Sequence, residues 1–129
     1  MREVKVYLEN KGLVYKDFGT YTPESCDYPK LAASASRAVA GGECDNGIFI
    51  CGTGIGMSIA ANKIRGIRAA LCTDCYMAEM TRRHNDSNVL VLGGRVTGSG
   101  LAVSIVEKFL NTGFDGGRHA KRIAMLDEV

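Results

Sequence analysis

A glycine-rich turn, Cys51-Gly-Thr-Gly-Ile-Gly-Met-Ser58, is the segment of this sequence best suited to chemistry. It follows a continuous apolar run and precedes a helical pattern, so its backbone N–H groups and the positive end of the helix dipole point at whatever binds there. Such a turn favours an anion or the oxyanion of a reaction. It matches neither the dinucleotide-binding Gly-x-Gly-x-x-Gly nor a Walker loop. The alternative is a tight turn that binds nothing.

Cysteine side chains follow two of the predicted strands. A helix N-terminus stabilises a thiolate, so Cys51 could act as a base or a nucleophile, with the hydroxyl of Thr53 beside it. Alternatively, Cys51 packs as a small hydrophobic residue. Cys72 and Cys75 form a lone Cys-x-x-Cys. Since no second pair completes the four ligands of a zinc site, the functional alternative for this pair is a thioredoxin-like dithiol.

Two later segments carry side chains that suit proton transfer and phosphate binding. His84 is followed by Asn85, and histidine can move protons near neutral pH. Arg118 and Arg122 share a helical face one turn apart, and two guanidinium groups on one rigid element match the oxygens of a phosphate. Arg95, which follows a predicted strand, could be a third phosphate ligand. The alternatives are turn capping around the histidine and a solvated basic helix.

Hydrophobic spacing predicts the elements that must position these residues. A helix ends at Gly12, another runs from Pro29 to the glycines at 41–42, and later helices cover about 55–63, 101–110 and 118–126. Asp74 caps a further helix, in which we expect Tyr76, Met77 and Met80 to point inward. Strands are predicted at residues 13–18, 47–51, 68–72 and 89–92.

Strands separated by helices of this length indicate an α/β fold, namely a three-layer αβα Rossmann-like domain with a mostly parallel sheet. We expect one domain over residues 1–129. Ligands of such folds bind beyond the carboxyl ends of the strands. The segments after Cys51, Cys72 and Leu92 are therefore the expected place for chemistry.

The composition excludes several classes of function. A net charge of +2 is too small to predict nucleic-acid binding, and no apolar run is long enough to span a membrane. The N-terminus has no secretory core. Five cysteines without a signal peptide are expected to be free thiols in a reducing cytoplasm.

Several spaced segments together resemble the B-type ribose-5-phosphate isomerases and the related galactose-6-phosphate isomerase subunits. They are the glycine turn extended to Lys63, residues 66–73, 84–89 and 116–122, and the shorter stretches 17–21 and 27–29. The resemblance covers essentially the whole chain and is closer to the ribose enzymes. It implies interconversion of ribose 5-phosphate and ribulose 5-phosphate through an enediolate, a reaction of pentose phosphate metabolism.

The resemblance also implies a role for each residue of the site. Cys51 would be the base, Thr53 would assist with hydroxyl protons, and His84 would assist ring opening. Substrate would be bound by Tyr28, Gly52, Gly54, Ile55, Gly56, Asn85, Arg95, Arg118 and Arg122. The resemblance implies sites shared between two subunits of a homodimer or tetramer, and neither a metal nor an organic cofactor.

One departure from the family pattern leaves a second hypothesis open. The family begins with a strand that ends in an Asp-His pair, whereas here residues 1–5 already correspond to the first helix. We expect the missing strand to lie between the strands at 13–18 and 47–51. The second hypothesis is an inactive sugar-phosphate-binding or partner subunit, and an isomerase of allose or galactose phosphate is a further alternative.

Overall fold

The computed structural model describes residues 1–19 and 27–129. From α2 to α5 helices and strands alternate, as predicted, whereas among the described residues no strand separates α1 from α2 or α5 from α6. The helices are α1 (Arg2–Asn10), α2 (Tyr28–Ala40), α3 (Ile55–Asn62), α4 (Cys75–Asn85), α5 (Ser99–Leu110) and α6 (Arg118–Glu128). The strands are β1 (Gly47–Cys51), β2 (Ala69–Leu71) and β3 (Val89–Gly93).

The three strands form one parallel sheet in the order β1-β3-β2. Gly47 lies opposite Val89, and Cys51 lies opposite Gly93, so β1 and β3 begin and end at the same levels. Every residue of β3 is buried, as its uninterrupted apolar run predicts for a central strand. The open sheet confirms the predicted α/β class.

Alternate residues of β3 build two cores on opposite faces of the sheet. Val89 and Val91 pack in a cluster with residues of α2 and α3, whereas Leu90 and Leu92 pack with residues of α1, α4 and α5. Successive side chains of a strand point to opposite faces, so one apolar strand serves both cores. The result is the predicted three-layer arrangement.

The predicted strand at residues 13–18 is wrong. These residues form no strand, and Val14 is fully exposed. Apolar alternation does not make a strand unless a neighbour accepts its backbone hydrogen bonds, and the segment pairs with none in the described ranges. Instead, polar interactions hold residues 13–18 on the surface of the protein. One of them is an ion pair between Lys5 and Asp17. One edge of β1 pairs with β3, and the other edge has no strand partner among the described residues.

The outer edge of β2 is covered by a side chain. The Asn62 amide donates to the carbonyl of Ala69 at 3.0 Å and accepts from the Ala69 N–H at 2.8 Å. These are the two hydrogen bonds that a neighbouring strand would make at this residue.

The predicted inner face of α4 is also wrong in part. Tyr76 is 70% exposed and Met77 is 40% exposed, while Met80 is only half-buried. Ala78 and Thr81 are the buried residues of this helix. Ala78 packs in the core with residues of α5, and the large side chains of α4 lie on its outer faces. No helix of the described residues is long and apolar enough to cross a membrane.

Candidate active site

The glycine turn joins β1 to α3 and leaves the start of that helix open. Gly54 occupies the N-cap position with φ +84°, and no side chain of the described residues caps the helix. Within the turn, the N–H of Ile55 donates to the Thr53 hydroxyl at 3.3 Å. The first helical hydrogen bond is made by Ser58 to the carbonyl of Gly54. Apart from that of Ile55, the N–H groups of this first turn have no partner among the described side chains, so an anion can accept from them.

Close packing explains why Gly54 must be glycine. A β-carbon at this position would lie 2.5 Å from the Leu71 side chain and 3.1 Å from the backbone oxygen of Leu92. The positive φ is also rare for residues with a side chain. Both β2 and β3 thus press on the turn and hold it in one conformation.

Two side chains from other elements converge on the glycine turn. A β-carbon at Gly56 would overlap the hydroxyl and ring of Tyr28, and a β-carbon at Gly52 would lie 3.6 Å from the Arg95 guanidinium. Arg95 follows β3, and its backbone N–H donates to the backbone carbonyl of Gly52 at 3.0 Å. The structure therefore brings these two predicted ligands to the glycine turn, which begins at the half-buried Cys51. We call Tyr28, Cys51, Thr53, Arg95 and the turn glycines the thiol cluster.

A second group of predicted residues meets where α6 packs on α4. The ring of His84, near the end of α4, stacks on the ring of His119 with 4.2 Å between centroids and 11° between planes. Arg118 and Arg122 flank His119 on α6. The pKa of His119 is lowered, first by desolvation and then by His84 and the two arginines, whereas Asp115 raises it. The group as a whole is rich in positive charge, which suits a phosphate. We call it the histidine cluster.

Hydrogen bonds from Thr81 and Arg68 hold the end of α4 that carries His84 and Asn85. The Asn85 side-chain oxygen accepts from the Thr81 hydroxyl at 3.2 Å, and Thr81 also bonds to Ser87. Arg68 donates to the Asn85 carbonyl at 3.1 Å. This terminus is therefore rigid, as a residue that positions a substrate requires.

The two clusters lie at opposite ends of the sheet. Cys51 ends β1, whereas Asn85 precedes Val89, the first residue of β3, which lies level with the start of β1. A five-residue strand spans about 13 Å between its ends. Hence one chain alone does not place His84 beside Cys51.

The Cys-x-x-Cys pair has no features of a redox dithiol. Cys72 is 1% exposed, and burial, reinforced by the charge of Asp74, raises its pKa to about 12. Reactive cysteines are accessible and ionise readily, so Cys72 is inert near neutral pH. Asp74 instead caps α4, accepting from the Met77 N–H at 2.8 Å as predicted.

Two residues of the histidine cluster were not chosen from the sequence. His119 and Asp115 gain their position from the packing of α6 and its preceding loop against α4. Asp115 is held by Arg83, whose Nε donates to both carboxylate oxygens at 3.2 and 3.1 Å. The available signal was that His119 is one of only two histidines and lies between the two arginines.

Comparison with known proteins gives consistent matches over nearly the whole chain. The family described as Ribose/Galactose Isomerase matches residues 1–126. Ribose-5-phosphate isomerase B of Escherichia coli is 47% identical over 127 residues, 98% of this chain and 85% of that protein. D-erythrulose-4-phosphate isomerase of Pectobacterium atrosepticum is 44% identical over 119 residues, 91% of this chain and 78% of that protein.

A solved structure confirms the fold. Ribose-5-phosphate isomerase B of Clostridium thermocellum superposes with a TM-score of 0.96 at 54% sequence identity. The match covers 98% of this chain and 86% of that one.

Proposed function

The chain belongs to the ribose/galactose isomerase family, and we propose that it interconverts ribose 5-phosphate and ribulose 5-phosphate. The observation that carries the proposal is the thiol cluster. An accessible thiol stands at the end of β1, beside a helix N-terminus that no described side chain caps. A base next to a set of oxyanion donors is what an aldose–ketose isomerase requires.

The thiol cluster supplies the groups for the proton shift. In the open-chain sugar, the Cys51 thiolate removes the proton from C2, and the C1 carbonyl oxygen takes up the negative charge of an enediolate. N–H groups at the start of α3 stabilise that oxygen, and one such donor contributes roughly 3 kcal/mol in other enzymes with an oxyanion hole. The thiol then returns the proton to C1, while the C2 hydroxyl loses its proton and becomes the carbonyl. The Thr53 hydroxyl assists the transfer between the two oxygens.

We propose that the histidine cluster completes the site from a second copy of the chain. His84 opens the sugar ring, Asn85 binds a hydroxyl, and Arg118 and Arg122 bind the phosphate together with Arg95. The separation of the two clusters supports this arrangement, because a single chain keeps them at opposite ends of the sheet. A two-fold dimer would pair each thiol cluster with the other copy's histidine cluster, giving two identical sites.

Apolar side chains beside the glycine turn support the same dimer. Ile55 and Ile59 lie one turn apart on α3 and are 54% and 58% exposed. Exposed apolar residues that cluster near a site favour a subunit interface. A free catalytic thiol also suits a reducing compartment such as the cytoplasm.

A complementation experiment tests both the reaction and the shared site. We expect Cys51→Ala to be inactive and Arg118→Ala/Arg122→Ala to be inactive at low substrate concentration. Co-expression of the two variants should restore about a quarter of the parental sites, because half of the dimers are mixed and each has one intact site of two. No restoration would contradict the shared site, and no conversion of ribose 5-phosphate by the parent protein would contradict the proposed reaction.

The erythrulose-4-phosphate relative supports a second candidate substrate, a four-carbon sugar phosphate. The same proton shift and the same phosphate ligands would serve it. Comparing kcat/KM for ribose 5-phosphate, allose 6-phosphate, galactose 6-phosphate and erythrulose 4-phosphate decides between them. We expect the pentose to give the highest value.

A further inference from the structure

Three side chains with metal-ligating atoms meet in the histidine cluster. A nitrogen of His84, a nitrogen of His119 and a carboxylate oxygen of Asp115 all lie within 4.8 Å of one another. They come from α4, from α6 and from the loop before α6, so the fold and not the local sequence brings them together. Neither the proposed isomerisation nor the binding of phosphate makes use of Asp115.

We propose that His84, Asp115 and His119 bind a divalent transition-metal ion of the Zn²⁺ class and that binding inhibits the enzyme. The inhibition rests on the proposed function, since it requires His84 in the substrate site, but the binding does not. The ion is an inhibitor of the site and not a cofactor of the reaction.

The donor set fits this class of ion. Two imidazoles and one carboxylate are common zinc ligands, and three protein ligands leave a fourth position for water. With ligand bonds of about 2.0–2.2 Å, neighbouring donors of a tetrahedral site lie roughly 3.4 Å apart. The present spacing, at most 4.8 Å, therefore needs a contraction of up to about 1.4 Å between donors. Rotation of the two stacked imidazole rings about their side-chain bonds can turn one nitrogen of each towards a common point. This rotation brings the donors closer together.

The position of Asp115 is fixed before any ion binds. Besides the ion pair with Arg83, the backbone N–H of Asp115 donates to the Arg83 carbonyl at 3.0 Å. This pairing fastens the loop before α6 to α4, which carries the other histidine. A carboxylate has lone pairs beyond those that one guanidinium uses, so Asp115 can bind a metal while it stays paired.

Positive charge limits the affinity. Arg83, Arg118 and Arg122 surround the three ligands, and only the first is paired with a carboxylate of the cluster. Repulsion of a dication by the other two should make binding weaker than at a structural zinc site. We therefore expect micromolar binding that strengthens as salt screens the repulsion.

The test measures binding separately from activity. Calorimetric titration of the metal-free protein with Zn²⁺ should show one site, and the Co²⁺ form should show visible bands without a thiolate charge-transfer band, which excludes the cysteines as ligands. We expect Asp115→Asn and His119→Gln each to weaken binding by about tenfold or more. Thermal melts confirm that both variants are folded. Equal affinity in the parent and both variants, or a thiolate band, would overturn the proposal.

The activity measurement uses the same proteins. Zn²⁺ should inhibit the parent and a chelator should restore its activity, whereas Asp115→Asn, compared with its own metal-free activity, should resist the Zn²⁺ concentration that inhibits the parent. Inhibition of Asp115→Asn at the parental Zn²⁺ concentration would contradict the assignment. If the parent binds Zn²⁺ as expected yet shows no isomerase activity, the proposed function fails and the metal site stands.

Discussion

The chain makes two strand-to-helix junctions from similar residues, and only one of them is suited to a ligand. At the end of β1 the sequence is Cys51-Gly-Thr-Gly, and directly after β2 it is Cys72-Thr-Asp-Cys. Each places a cysteine at the end of a strand and a threonine just before a helix. The first leads into α3 and the second into α4.

The two junctions differ in what satisfies the helix N-terminus. The Asp74 carboxylate accepts a hydrogen bond from the Met77 N–H and closes the start of α4. The start of α3 has Gly54 instead, and no described side chain caps it. The two cysteines also differ in their exposure to solvent, because Cys51 is half-buried whereas Cys72 is buried. A cap residue therefore makes one junction structural, and its replacement by glycine leaves the other open to an anion.

The largest expected difference between the junctions is catalytic. Cys51→Ala should lower kcat for isomerisation by about 10²–10⁴-fold, because it removes the base, while substrate affinity stays nearly unchanged. The matched variant Cys72→Ala should retain kcat. Steady-state kinetics and a separate binding measurement check both, and a near-normal kcat for Cys51→Ala would remove this thiol from the mechanism.

The second difference lies in thiol reactivity. With its pKa raised to about 12, Cys72 carries very little thiolate at pH 8. Alkylation of Cys72 in the folded protein should therefore be roughly a thousandfold slower than in the unfolded protein, and should accelerate as the pH rises towards that value. Mass spectrometry of peptides after timed iodoacetamide treatment measures the rate. Rapid labelling of native Cys72 would show that the second junction opens.

The third difference concerns the N-cap glycine. Gly54→Ala should cost about 2–5 kcal/mol of unfolding free energy, because it forces a side chain into a positive φ and against Leu71. Gly98 caps α5 with φ −66° and would meet nothing within 4 Å, so Gly98→Ala should cost less than about 1 kcal/mol. Denaturant unfolding of the pair gives both values. Equal losses would mean that the packing of the turn is not what requires glycine at 54.

The smallest expected effect is the loss of the cap at the second junction. Asp74→Ala should lower the unfolding free energy by about 1 kcal/mol without changing kcat. Asp74→Asn, which retains an acceptor, serves as the control and should recover most of the stability. A large fall in kcat would show that the second junction also contributes to the reaction.

Most of the fold could be predicted because strong hydrophobic periodicity reflects burial directly. The continuous apolar run predicted β3, and the apolar residues at helical spacing predicted α5. The segment at 13–18 was misread because strand formation depends on a partner and not on the segment alone. The prediction for the face of α4 was wrong because the small residue Ala78 is the one that packs into the core, whereas large residues dominate a hydrophobicity pattern.

In the candidate site, too, the features that depend on local sequence could be predicted, and those that depend on tertiary packing could not. The glycine turn was predictable, since its neighbours in sequence are its neighbours in space. The contact of His84 with His119 and Asp115 was not, because it depends on how α6 packs on α4. The separation of the thiol and histidine clusters likewise required the sheet register, which no local motif encodes.

The amide of Asn62 at the outer edge of β2 limits how molecules of this protein can join one another. An exposed strand edge is a template on which strands of other molecules assemble, and repetition of that step gives fibrils. Here an incoming strand would first have to displace a side chain that already holds both backbone groups of Ala69. Asn62 thus hinders the addition of a strand from another molecule at the outer edge of β2, and with it the repeated edge-to-edge pairing that leads to fibrils.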